Sequence, residues 1–310
     1  MATGTDSAVT APHPGPAGFG GQVRSRLVGL DRPAVLAVLN DTPDSFSDGG
    51  LWSDPDAAVS HGLALVRAGA DAVDVGGEST RPGAARVPED EELRRTVEVV
   101  RALAGHGVPV SIDTMRAVVA EAALGAGAVL VNDVSGGAAD PAMARVVAEA
   151  GCPFVVMHWR GNAEQMASRA QYDDVVVEVR DELAARVDAL VAVGVRPDRL
   201  VLDPGIGFAK DAGHGWVLLA HLDALDALGM PLLVGVSRKR LLGRLLAGED
   251  GTPRPVEQRE DASHAVAALL AAHGVWAVRA HTARPTADAV RVGAAWRRAR
   301  DGAAEQDRLP

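Results

Sequence analysis

The sequence predicts one α/β domain folded as a (β/α)8 TIM barrel, spanning residues 26–301, and three observations carry that prediction. Eight short apolar runs alternate with stretches of helical periodicity. No shift in composition divides the series, so the units belong to one domain with parallel strands. Almost every run ends in a polar or charged residue. An open doubly wound sheet gathers its chemistry at one switch point, whereas a closed barrel turns the C-terminal end of every strand toward one mouth.

The runs, in order, are PAVLAVLN (33–40), DAVDVGG (71–77), VPVSID (108–113), AVLVND (128–133), PFVVMH (153–158), RLVLDPG (199–205), PLLVGVS (231–237) and VWAVRAH (275–281). Each is rich in Val, Ile or Leu, which suits a strand covered on both faces. Helices are expected over 54–69, 91–105, 115–126, 141–150, 174–193, 259–273 and 285–300, where Ala, Leu and Val recur at helical spacing, with a weaker one over 214–228. Residues 1–25, rich in Pro, Gly, Ala and Thr, read as a disordered lead-in, and 302–310 as a flexible tail.

Composition narrows the function. Aromatic residues are 3% of the chain, so the core must come from Ala, Val and Leu. A net charge of −10 argues against nucleic acid as a partner, because a polyanion needs a basic face to displace its counterions. The single cysteine, Cys152, excludes a disulfide framework within the chain and fits a reducing, cytoplasmic setting. No apolar run approaches the ~20 residues of a membrane span, and no secretory leader is visible.

The polar ends of the runs carry the chemistry. VLNDTPDSFSDGG (38–50) loads Asn40, Asp41 and several hydroxyls onto one loop, as turns do and as metal-contacting loops also do. In DVGGESTRPG (74–83), Ser79, Thr80 and Arg81 offer donors to an oxyanion, or form an ordinary surface turn. Asp113 in SIDTMR, and Asn132 with Asp133 in VNDVSGG, have two readings, helix caps or ligand groups. Asp203 in LDPGIGFAK is followed by PGIG rather than a helix, so capping does not explain it. Two carboxylates and an amide in one mouth would suit a heterocycle with adjacent N–H groups. Arg238, Lys239 and Arg240 in VGVSRKRLLG are three consecutive cations at a helix start, a solvated turn or an anion-focusing cluster. Arg279 and His281 lie two apart on one strand face and suit an anion clamp. His158 in VVMHWRG reads as structural, with Met157 an apolar wall. No Walker A loop, HExxH pair or nucleophile elbow is present.

Taken in this order and spacing, these eight motifs resemble the dihydropteroate synthase family over residues 33–295. The resemblance implies a TIM barrel that condenses 6-hydroxymethyl-7,8-dihydropterin diphosphate with p-aminobenzoate, giving 7,8-dihydropteroate and pyrophosphate. It implies that Asp113, Asn132, Asp203 and Lys239 hold the pterin, that Met157 and Phe208 line its slot, and that Arg279 stacks over it. Asn40, Arg81, Arg279 and His281 would bind the diphosphate, with Mg²⁺ on the diphosphate and Asn40. Phe46, Thr80, Arg81, Pro82, Lys239 and Arg240 would surround the aminobenzoate, whose carboxylate would lie by the helix start after Lys239. Catalysis would rest on Asn40, Asp113, Asp203, Lys239, Arg279 and His281. The partners implied are these small-molecule substrates and a second copy of the chain in a homodimer, with no membrane; sulfonamides are the inhibitor class.

The chain departs from the family pattern at three places. Thr282 follows His281 where many members carry Asp, Asp41 follows Asn40 where a neutral residue is usual, and Arg240 follows Lys239 where Ser is common. Two alternatives remain open at this level. A pterin-binding methyltransferase-type domain would share the Asp/Asn recognition but would not need the SRK and R-x-H cations. A non-catalytic pterin-binding paralogue would bind pterins without condensing them.

Overall fold

A computed structural model describes residues 27–40, 55–78, 87–161 and 168–306. The expected lead-in over 1–25 and the site residues Phe46, Thr80, Arg81 and Pro82, together with Asp41, lie outside the described residues.

The chain alternates strand and helix as β1 (Ala34–Asn40), α1 (Pro55–Arg67), β2 (Ala72–Gly76), α2 (Glu89–Gly105), β3 (Val110–Asp113), α3 (Ala117–Gly125), β4 (Leu130–Asp133), α4 (Met143–Ala150), β5 (Phe154–Met157) and α5 (Val175–Ala192). It continues through β6 (Leu200–Asp203), α6 (Ala212–Ala220), α7 (Asp223–Asp226), β7 (Leu233–Gly235), α8 (Arg240–Leu245), α9 (Glu260–His273), β8 (Ala277–Ala280) and α10 (Ala283–Gln306). Each of the eight expected strands forms. The weak helix expected over 214–228 divides into α6 and α7, and α10 runs on to Gln306, into the stretch expected as tail.

The strands pair in parallel in the order β6-β5-β4-β3-β2-β1-β8-β7, so the first and last strands are neighbours. The remaining seam, between β6 and β7, is joined by a parallel bridge of Leu202 with Leu232 and by the 2.8 Å bond from the Leu202 N–H to the Pro231 carbonyl. The barrel is thereby closed, with its thinnest hydrogen bonding at that seam.

Side chains alternate across the barrel wall because strand periodicity is two. Val35, Val73, Ile112, Val131, Phe154, Leu202, Val234 and Val278 face outward and join the helices in the main core. Leu36, Ala72, Leu130, Val155, Val201, Leu233 and Ala277 face inward and fill the floor of the barrel. Leu27 closes the floor from below, and its carbonyl accepts the Trp276 indole N–H at 2.9 Å. On the same parities, higher up the barrel, come Asn40, Asp74, Asp113, Asn132, Met157, Asp203 and Arg279. An apolar floor beneath a polar mouth is thus written into one alternation.

Helix N-termini take their caps from residues of the strand-to-helix loops other than the mouth residues. Asp174 accepts from the Val176 and Val177 N–H groups at the start of α5, and Asp211 forms a capping box with His214 at α6. Asp140 caps α3 through the Ala117 N–H at 2.8 Å, which leaves Asp113 free of that duty. The outermost pair, α9 and α10, approach closely at Gly293: a Cβ there would stand 2.0 Å from the Ala268 carbonyl oxygen and 2.8 Å from the Ala271 Cβ. Gly293→Ala should therefore force the two helices apart and cost about 1–3 kcal/mol, read as a lowered urea midpoint. An unchanged midpoint would mean that the two helices separate without cost.

Candidate active site

Strand register assembles the mouth. Asn40 lies beside Gly76, Gly76 beside Asp113, Asp113 beside Asn132, Met157 beside Asp203, and Gly235 beside Arg279. Arg279 reaches from β8 across the mouth. Its Nε donates to Asp74 Oδ2 at 2.5 Å and its Nη2 to Asp113 Oδ2 at 2.6 Å. Asn132 Nδ2 donates to the same Asp74 oxygen at 3.0 Å. One guanidinium thus balances two buried carboxylates on β2 and β3.

That balance is incomplete. Asp74 Oδ1, Asp113 Oδ1 and the Ser111 hydroxyl are buried without a hydrogen-bond partner among the described residues. Unpaired buried oxygens are costly, and clustered on two adjacent strands they mark a surface shaped for donors. Burial pushes the Asp113 carboxyl up to about 7, against the pull of Arg279 and with Asp74 adding to the rise. A ligand that brings N–H groups would satisfy these oxygens and restore the ionised form.

The opposite wall is built by β6, β7 and the turn after β6. Asp203 is buried, and its Oδ1 accepts the Gly205 N–H at 2.7 Å. Gly205, Gly207 and Ala209 all take positive φ, at 66°, 81° and 46°, so the turn alternates in a way that glycine makes inexpensive. Lys239 Nζ donates to the Ile206 carbonyl at 2.5 Å and sits 4.9 Å from the centroid of the Phe208 ring. Burial lowers Lys239 to about 8, opposed by Asp203, and burial raises Asp203, opposed by Lys239. A carboxylate and an ammonium that influence one another across the slot, with Phe208 beside the lysine and Met157 beside Asp203 on the neighbouring strand, can both accept from and donate to a flat polar ring.

The expected residues distribute as follows. Asn40, Asp113, Asn132, Met157, Asp203, Lys239 and Arg279 share the inward face of the mouth. His281 lies one strand position beyond β8, where its Nδ1 meets Ser237 Oγ at 3.0 Å. The three cations of SRKR take different directions, so the two readings of this segment divide among its residues. Only Lys239 turns into the mouth; Arg238, at φ 60°, is ion-paired to Glu260 on α9, and Arg240 is exposed at the start of α8. The Thr282 hydroxyl donates to Glu260 Oε2 at 3.2 Å and lies 2.8 Å from His264 Nε2, so it is tied to α9. Asp133 faces outward and is spent on the Ser135 and Gly137 N–H groups, the turn-holding alternative for that residue. His158 is buried between Glu182 and Lys210, in keeping with a structural reading.

Sequence reasoning passed over Asp74, although it stands two residues before Gly76 with the inward parity of Asp113. That parity was the available signal. The metal expectation can be tested on the donor set. Among the described residues no group of three or more His, Cys, Asp or Glu side chains could hold an ion. Asn40 offers one hard oxygen at the mouth, which suits Mg²⁺ carried mainly by phosphate oxygens and water.

Comparison with known proteins agrees with this architecture. The profile of the pterin binding enzyme family matches residues 36–281. The chain is 58% identical over 263 residues to dihydropteroate synthase of Mycobacterium leprae, covering 84% of this chain and 93% of that one. A crystal structure of Yersinia pestis dihydropteroate synthase in a sulfonamide drug complex superposes with a TM-score of 0.82 at 40% identity, covering 88% of this chain and 96% of that one. Xanthomonas albilineans dihydropteroate synthase in complex with 7,8-dihydropteroate superposes at 0.77 and 39% identity, covering 93% and 99%.

The raised Asp113 pKa gives a signed expectation for the ligand-free protein. A carboxyl near 3.8 unfolded and about 7 folded favours the folded state at low pH, and its contribution is lost as pH rises between those values. Asp113→Asn should therefore raise the thermal midpoint at pH 8 and narrow that gain toward pH 4, measured by calorimetry across the range. A gain of equal size at both ends would show that Asp113 does not titrate there.

Proposed function

The chain belongs to the pterin binding enzyme family and, within it, to the dihydropteroate synthases, and on that premise we propose how its own residues perform the condensation. The enzyme is a transferase joining 6-hydroxymethyl-7,8-dihydropterin diphosphate to p-aminobenzoate, releasing pyrophosphate. The observation that carries the residue assignment is the convergence of orphaned Asp74 and Asp113 oxygens, the Asn132 amide, and the Asp203–Lys239 pair around one slot.

The amino-pyrimidine edge of the pterin supplies N–H groups to Asp113 and Asp203, and Asn132 adds an amide dipole. Lys239 donates to the ring's acceptor side while Met157 and Phe208 sandwich its faces. Arg279, already neutralising the carboxylates beneath it, presents its planar guanidinium over the ring and toward the diphosphate. His281 and Asn40 complete the anion contacts. As the bond from the pterin methylene carbon to the diphosphate oxygen breaks, its electrons leave with pyrophosphate. The carboxylates stabilise the cationic character spreading into the pterin, and the cations stabilise the departing anion. The arylamine nitrogen then forms the new C–N bond and loses its proton to phosphate or water. No enzyme nucleophile takes part, in keeping with the lack of a nucleophile motif.

Mg²⁺ bound on the diphosphate would screen its negative charge, with Asn40 as the protein contact at the end of β1. Arg240, exposed beside Lys239, is positioned to meet the aminobenzoate carboxylate from the solvent side. We infer a homodimer in a reducing, cytoplasmic setting, which the single, unpaired Cys152 fits; among the described residues no helix is long and apolar enough to cross a membrane. Leu269 on α9 and Val292 and Trp296, one turn apart on α10, are 65–70% exposed, an apolar face that a second copy would cover.

The test is direct. Purified protein with Mg²⁺, dihydropterin diphosphate and p-aminobenzoate should yield dihydropteroate by mass, and Lys239→Ala and Asn40→Ala should each reduce the rate by about 10²-fold or more. Chelation should abolish turnover and added Mg²⁺ restore it. Absence of product from the parent protein would overturn the catalytic assignment. Separately, Trp296→Glu should halve the mass seen by sedimentation equilibrium; a parent that sediments as a monomer would exclude the dimer.

A further inference from the structure

Behind the turn that follows β6 lies a charged network that the condensation itself does not use. Lys210 is buried, and its Nζ donates to the Phe208 carbonyl at 3.1 Å and to His158 Nδ1 at 2.8 Å. That second bond fixes the tautomer of His158, whose Nε2–H then donates to Glu182 Oε2 at 3.0 Å. Arg160 binds the same carboxylate and lies 3.9 Å over the Tyr172 ring, and the Tyr172 hydroxyl donates to the Ala209 carbonyl at 3.0 Å. The chain from Pro204 to Ala209 is therefore gripped from two sides. Lys239 holds the Ile206 carbonyl from within the mouth, while Lys210 and Tyr172 hold the Phe208 and Ala209 carbonyls from behind.

The grip bears on pterin recognition because this turn does two things at once. Its Gly205 N–H binds Asp203, and its Phe208 ring forms one wall of the slot. Gly205 also lets this turn pack closely on the end of β5: a Cβ on Gly205 would stand 2.5 Å from the His158 carbonyl oxygen, while Lys210 Nζ lies at contact distance beside it. We propose that Lys210 is a positioning residue for pterin binding, fixing the Phe208 turn through its carbonyl and supplying a second cation, behind Lys239, to Asp203. This rests on the pterin-site reading above. The charges facing Asp203 are Lys239, Lys210 and Arg279, all favouring its ionised form against burial. Those facing Lys210 are Asp203 and Glu182, which favour its charge, and Lys239 and Arg160, which oppose it; burial brings it down to about 7.

The experiment compares Lys210→Met and Lys210→Gln with the parent. Titration calorimetry would measure 6-hydroxymethyl-7,8-dihydropterin diphosphate binding without p-aminobenzoate, and kcat/KM would be followed from pH 5 to 9. Lys210→Met should weaken pterin binding by about tenfold and leave the KM for p-aminobenzoate within about twofold. With one cation removed, Asp203 holds its proton to higher pH, so the acid limb of kcat/KM should move up by roughly one unit. Lys210→Gln, which returns a donor to the Phe208 carbonyl without the charge, should recover part of the affinity at pH 8 while the acid limb stays displaced. Unchanged pterin affinity together with an unmoved acid limb in the folded Met variant would overturn the proposal, whatever its unfolding midpoint. Should that variant fail to fold, the Gln variant decides on the position of the acid limb alone. A parent that binds the pterin but makes no dihydropteroate would end the synthase reading and leave the calorimetric comparison to judge Lys210.

Discussion

Three carboxylates buried in one barrel mouth can be kept only if cations reach them, and the mouth is organised around that requirement. Asp74, Asp113 and Asp203 stand on β2, β3 and β6, too far apart in sequence to share a local partner. Arg279 spans the first two from β8, and Lys239 serves the third from the end of β7. The arrangement works because barrel closure makes β8 the neighbour of β1 and lets a long side chain cross the mouth. Were β1 and β8 opposite edges of an open sheet, Arg279 and Asp113 would lie on distant parts of the surface. The pairing is also deliberately short of complete, since two carboxylate oxygens remain for a ligand.

The same economy separates recognition from support. Side chains whose polar atoms face the slot, such as Asp113 and Lys239, are ringed by groups that serve only to hold them. Asp140 takes the capping of α3 that would otherwise occupy Asp113. Glu260 engages Arg238, leaving Lys239 as the member of its basic triplet that enters the mouth. On the far side, the Lys210–His158–Glu182 chain braces a turn with three positive-φ residues, a conformation that would relax if its carbonyls lost their donors. Rigid support of this kind places groups where charge develops during bond cleavage, which is where electrostatic stabilisation acts.

Much of the fold and much of the site were legible from the chain alone. The eight strands appear where the β-branched runs stand, because those runs are apolar on both faces as a covered parallel strand requires. Helix limits shift by a residue or two except at the end of α10, which continues to Gln306, and the weakly periodic 214–228 stretch breaks into two pieces. Among site residues, Asp113 and Asp203 could be recognised by their place at strand ends. Asp74 has the same parity, but a carboxylate inside a strand announces no function until its neighbours are known. The basic triplet could not be resolved from the sequence because adjacency says nothing about direction. A left-handed residue at Arg238 turns successive side chains to different sides.

By itself, then, the sequence determined the alternation of strand and helix, the inward parity of Asn40, Asp113, Asn132, Asp203 and Arg279, and the family to which those motifs are similar. These follow from periodicity and residue chemistry, which are local. The pairing of Arg279 with both Asp74 and Asp113, the turning of Arg238 away to Glu260, and the bracing of the Phe208 turn by Lys210 were decided only by tertiary structure. Each depends on which distant strands closure makes neighbours, and on which buried charges must then find partners across that space.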